Sequence, residues 1–191
     1  MKIDECGRML ADLLSAAGAA NPAPSYLGQS ASAVLVMARA YESDGRTFFS
    51  SDDPVNALAS FWYGFGWLDF GVCSGLVFTR RGETCPFREA CEILAPVHAE
   101  ALNEKTARYA RLLATARDSV RPAPEPGTAA HGFAERVLLI AQVYAGIGNL
   151  HSLDGAAEDA LRAFSYGHGW LDAGVTCGLF RITAHHELFT V

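Results

Sequence analysis

Basic runs are absent from this 191-residue chain, and charge of either sign is sparse at 19% of residues. Acidic residues outnumber basic ones, 21 to 15, for a net charge of −6. Nucleic acid and anionic membrane are therefore poor partners. No apolar stretch approaches the roughly 20 residues needed to span a bilayer. The opening Met1-Lys2-Ile3-Asp4-Glu5 places acids where a signal peptide carries its apolar core, so a cytoplasmic chain is expected. Cysteines are few and odd in number: Cys6, Cys73, Cys85, Cys91 and Cys177. With no CxxC pair they read as cytosolic thiols rather than a disulfide framework or a zinc site. There is no HExxH, no paired Glu-x-x-His and no Ser/His/Asp grouping. No metal and no cofactor are expected, and no reaction is disclosed. Convincing period-2 alternation is also lacking, which leaves an all-α chain. Half the residues are apolar, enough to order one mid-sized domain or two small ones.

What the sequence does have is self-similarity. Phe61-Trp62-Tyr63-Gly64-Phe65-Gly66-Trp67-Leu68-Asp69-Phe70-Gly71-Val72 returns as Phe164-Ser165-Tyr166-Gly167-His168-Gly169-Trp170-Leu171-Asp172-Ala173-Gly174-Val175. Both copies run on to a Gly-Leu pair, Gly75-Leu76 and Gly178-Leu179. The register holds upstream without a gap: Ala57-Leu58 with Ala160-Leu161, Tyr41 with Tyr144, Val34-Leu35 with Val137-Leu138, Arg8 and Leu10 with Arg111 and Leu113. The chain is thus two copies of a unit of roughly 80 residues. The expected division is residues 1–78, a connector over 79–103 and a second unit over 104–191.

Each unit reads as three helices, giving a bundle of two pseudo-symmetric three-helix units. The first helix runs from Ile3 to about Ala17 and, in the second copy, from Lys105 to about Val120. Met9, Leu10, Leu13 and Leu14 supply its apolar stripe. Asn21-Pro22-Ala23-Pro24 and Pro122-Ala123-Pro124-Glu125-Pro126-Gly127 end it. The second helix spans about Ala31 to Phe49, and Gly132 to Leu150. The third begins at Asp53-Pro54, a cap followed by proline at the first helical position. In the second copy Ser152 or Asp154 is expected to cap, with Glu158 and Asp159 in the first turn, where the dipole favours acids. A short connector helix is expected near Pro86, bent at Pro96.

Four glycines in the third helix, Gly64, Gly66, Gly71 and Gly75, each forgo about 1 kcal/mol of helix propensity. Gly64, Gly71 and Gly75 fall on one stripe with Ala57, as do Gly167, Gly174 and Gly178 in the other copy. Such a stripe lets another backbone approach closely. The alternative is a loop over a ligand. Around the glycines the helix is apolar on almost every side, through Phe61, Tyr63, Trp67, Leu68, Val72 and Leu76, which marks a buried central helix.

The string Ser165-Tyr166-Gly167-His168-Gly169-Trp170-Leu171-Asp172-Ala173-Gly174, followed by Gly178-Leu179-Phe180, resembles the signature of the archaeal family catalogued as domain of unknown function 357. Tyr41, Asp44, Phe48-Phe49, Asp53 and Asn56-Ala57-Leu58 add its upstream part. Tyr109-Ala110-Arg111-Leu112-Leu113 through Pro122-Ala123-Pro124 resembles its opening helix and linker. The resemblance covers nearly the whole chain as two tandem copies, connector excepted. It implies a small helical bundle per copy and an archaeal source, and it implies no activity. The copies differ: Phe65 stands where the second has His168, and Ile147 and Ala156 stand where the first has Asp44 and Asp53.

Asp69 and Asp172 are the residues that could carry chemistry, each a carboxylate on an otherwise apolar helix. A buried carboxylate must be paired, hydrogen-bonded or protonated. Either each accepts bonds from a neighbouring helix start or from Trp or Tyr donors, or the two face one cavity. His168 lies one turn before Asp172 and can touch it, as a carboxylate orients an imidazole. His185-His186 could be a weak metal site but reads as solvated. Tyr63, Trp67, Tyr166 and Trp170 read as core or interface aromatics rather than a ligand cage. The expected function is a non-enzymatic binding or scaffolding module for an unknown protein or small molecule. The alternative is an enzyme or metal-dependent binder using Asp69, His168 and Asp172.

Overall fold

A computed structural model describes residues 1–79 and 90–189. Each unit is three helices closed by a short β-ribbon. In the first, α1 (Ile3–Ser15), α2 (Tyr26–Ser50) and α3 (Pro54–Cys73) are followed by β2 (Val77–Thr79), which pairs antiparallel with β1 (Ala17–Ala19). In the second, α4 (Ala99–Asp118), α5 (Ala129–Leu153) and α6 (Ala157–Thr176) lead to β4 (Phe180–Ile182), paired with β3 (Val120–Pro122). The two ribbons were not expected. Three residues are too few for alternation to register, and tertiary pairing rather than pattern makes them strands.

Helix boundaries follow local chemistry. Asp53 accepts from the Asn56 amide at 3.0 Å, with Pro54 at the first position, so α3 starts as expected. The expected cap of α6 is absent. Ala156 occupies the cap position without a side-chain bond, while Ser152 donates back to Gly148 inside α5. The α2 and α5 helices begin earlier than expected, where Ser25 and Thr128 cap them. α4 likewise begins at Ala99, after a 3-10 turn at Pro96–His98. The helix expected near Pro86 falls outside the described residues.

Gly75 and Gly178 are not part of a packing stripe. α3 and α6 have ended before them, and each glycine adopts a left-handed φ, +75° and +76°. The next amide, Leu76 or Leu179, donates back to Gly71 or Gly174, and Gly75 or Gly178 donates to Val72 or Val175. This is a Schellman end, in which a glycine without Cβ takes the left-handed position at little cost. The motif turns the chain into β2 and β4, whose ribbons continue through Ala20 N–H to Leu76 and Ala123 N–H to Leu179.

The core runs through both units without a break. α3 and α6 lie at its centre, flanked by α2 and α5. Gly64 meets Leu10, the Tyr41 Cβ and the Ala38 carbonyl, and Gly71 meets Val34 and Val77. Gly167 and Gly174 face the matching partners Leu113, Tyr144, Val137 and Phe180. These four glycines therefore admit α2, or α5, and the ribbon onto the central helix. Between the units the backbones meet closely at Gly66 and Gly169 instead. A Cβ on Gly66 would stand 2.5 Å from the Tyr166 carbonyl, and one on Gly169 2.5 Å from that of Tyr63.

Candidate functional site

Around this glycine crossing the two units exchange hydrogen bonds. The Tyr63 hydroxyl donates to Asp172 Oδ2 at 3.1 Å, and the Tyr166 hydroxyl donates to Asp69 Oδ2 at 2.7 Å. Each tyrosine leaves its own unit to reach the carboxylate of the other, so the pairs are related by the pseudo-twofold. Within each unit a second tyrosine backs the first. Tyr41 lies against Tyr63, and Tyr144 against Tyr166, with ring centroids 4.5 Å apart in both. Asp69 and Asp172 are 2% and 0% exposed. Burial, and then the Asp172 charge, push the Tyr63 hydroxyl well above its ordinary value, so it stays protonated and remains a donor.

Of the seven residues expected to form a site, Tyr63, Asp69, Tyr166, His168, Trp170 and Asp172 are brought together, but as a seal between units. Trp67 and Trp170 are buried, and their indole N–H groups have no hydrogen-bond partner among the described residues. His168 does not hydrogen-bond Asp172, as neither imidazole nitrogen has a partner in ordinary geometry. The Tyr63 ring stands 5.3 Å from the imidazole while its hydroxyl takes the carboxylate. Burial lowers the His168 pKa to about 4, opposed by the nearby Leu188 carbonyl. The ring is neutral at pH 7 and closed in beneath the C-terminal segment. Phe65, its counterpart, packs on Trp62 at 5.2 Å. His185 and His186 are exposed, and His185 Nδ1 lies 3.1 Å from Glu187. No group of three metal-ligating side chains occurs among the described residues.

Sequence reasoning missed a cleft where the two units meet. About 410 Å³ in volume, it lies between Leu27, Ser30, Phe70 and Ser74 of the first unit and Ala130, Phe133, Cys177 and Leu179 of the second. Leu27 and Ala130, Ser30 and Phe133, and Ser74 and Cys177 are equivalent positions of the two copies, so the pseudo-twofold passes through it. Phe70 lies edge-on to Trp170 at 5.9 Å, and Trp170 stands 6.4 Å from Tyr166. The cleft is therefore one ring away from the crossed pairs. The half-buried Cys177 thiol is pushed up to about 12 by burial, which makes it a poor nucleophile. Ser30 and Phe133 are equivalent positions on separate helices, far apart in sequence, so only the three-dimensional crossing could reveal the cleft.

Neither a curated protein nor a solved structure matches the chain. The family described as Protein of unknown function (DUF357) matches residues 7–77 and again residues 108–180, each segment running from within the first helix of a unit to the start of its closing strand. The chain belongs to that family, and it carries two tandem copies of its domain.

Proposed function

We propose that the chain is a non-enzymatic binding module whose ligand surface is the cleft on the pseudo-twofold. The observation that carries this reading is the cleft's lining: apolar side chains and rings, with the Ser30 and Ser74 hydroxyls and the exposed Tyr26 at its rim. Concave, mostly apolar surfaces with a few polar groups suit small ligands. A flat, largely apolar molecule with one or two hydrogen-bonding atoms fits this chemistry. The acids support the same reading, because Asp69 and Asp172 are engaged by tyrosines and closed to solvent. A cytoplasmic setting and an archaeal source belong to this proposal as well, the free cysteines agreeing with the former.

Ligand-observed NMR with a panel of aromatic fragments tests it. Ala130 is exposed at the cleft wall, so Ala130→Trp fills the cleft without disturbing the core. Fragments should bind the parent and lose at least tenfold in affinity to the variant. Equal binding to both would remove the cleft as the site. One equivalent of tightly held metal, lost in His168→Phe, would instead favour the enzyme or metal-dependent reading.

A further inference from the structure

Helix α5 presents an apolar face that none of the described residues covers. Leu139, Val143, Leu150 and Leu153 are 56%, 47%, 63% and 85% exposed. With Gly146 they are spaced four, three, four and three residues apart, the seam of a heptad. The equivalent positions of α2 are Val36, Ala40, Ser43, Thr47 and Ser50, flanked by Arg39, Glu42 and Arg46. In α5 those flanks are Gln142, Ala145 and Asn149, and no charged residue occurs from Val137 to Leu150. Two copies of one unit have diverged here, one outer face solvated and the other stripped of charge.

Gly146 is the second observation. It sits mid-helix, where glycine forgoes about 1 kcal/mol relative to alanine. None of the described residues lies within 4 Å of where its Cβ would be. Gly64, Gly66 and Gly71 each admit a neighbour, but Gly146 admits none among the described residues, and it stands at the midpoint of the apolar stripe.

We propose that this face is a homodimer interface, in which α5 packs antiparallel on α5 of a second copy with the two Gly146 residues at the crossing. The stripe is self-complementary about that point: Leu139 falls opposite Leu153 of the second copy and Val143 opposite Leu150. A twofold contact requires this property of a single patch. Charge selects the direction. Arg136 and Asp154 are both exposed at opposite ends of the stripe. Antiparallel packing brings each near the opposite charge on the second copy, whereas parallel packing sets like against like. Size fits too. The four side chains expose on the order of 400 Å² of apolar surface, in the range that marks interaction sites. With Arg136, Gln142 and Asn149 beside them, a second α5 approaches the about 800 Å² per partner of a standard interface. The inference is independent of what occupies the cleft.

Light scattering on the eluting full chain reads the outcome. The parent should show twice the 20.4 kDa chain mass, and Leu150→Glu should show the single-chain mass with unchanged helical circular dichroism. Gly146→Lys is a second variant. It improves helix propensity, so it should fold at least as well and still be monomeric. Arg136→Glu should weaken the dimer about tenfold, and adding Asp154→Arg should restore it. A parent that remains a monomer at high micromolar concentration overturns the proposal, as does a dimer that survives both Leu150→Glu and Gly146→Lys. Weakening by Arg136→Glu without rescue overturns the antiparallel arrangement.

Discussion

Removing one oxygen atom is enough to test the crossed pairs. Tyr166→Phe keeps the ring on Tyr144 and takes only the donor from Asp69. A buried acceptor left short of a bond costs about 1–3 kcal/mol, and chemical denaturation should show that loss. Asp69→Ala should cost a similar amount, and the double variant less than the sum, because both remove one interaction. His168 makes a different demand. Burial lowers its pKa to about 4 from an ordinary 6.5, so the unfolded chain binds the extra proton first as pH falls. The His168 contribution to stability should be constant above about pH 7 and decline between 6.5 and 4, by about 2 kcal/mol at pH 5. His168→Phe, which copies Phe65, should flatten this window in denaturation curves taken at pH 7.5 and 5. Unchanged slopes in parent and variant would show that the imidazole is not buried neutral.

Among elements, the close approach of α3 and α6 rests on Gly66 and Gly169. An alanine methyl at either would meet a backbone carbonyl, which cannot rotate away as a side chain can. Gly169→Ala should therefore cost about 3 kcal/mol, at the upper end for overpacking. Gly178→Ala should lose only about 1 kcal/mol, from its left-handed φ. Thermal unfolding of the two variants side by side ranks them. Ala156→Ser supplies the cap that α6 lacks and should gain about 1 kcal/mol. The three helices of each unit were legible because apolar spacing and Asp53-Pro54 are local signals. The duplication was legible because it is repetition. The glycine stripe was half legible. Gly64 and Gly71 pack as the spacing implied, but Gly75 lies beyond the helix end, and a Gly-Leu ending carries the same letters in both roles. Gly66 fell off the stripe because it faces the other unit rather than α2. That Asp69 and Asp172 would be buried followed from their apolar helix. That each would be met by the tyrosine of the opposite copy did not, since no sequence separation announces a crossing.

For the molecule as a whole, the connector joins two units whose principal contact is with each other. Cutting within residues 80–89 should leave the halves associated, held by the α3–α6 crossing and the tyrosine–aspartate pairs. The midpoint of unfolding should then rise with protein concentration, whereas that of the intact chain follows only any assembly between chains. Sedimentation and denaturation of the cut protein over a hundredfold dilution series would check this, and a concentration-independent midpoint would contradict it. Joining the halves also sets their effective concentration by the tether rather than by synthesis. A symmetric pair of separate chains must accept every replacement twice, once on each side of the axis. A fused pair does not, and so His168 can stand opposite Phe65, and α5 can shed the charges that α2 keeps, while the shared crossing stays unchanged.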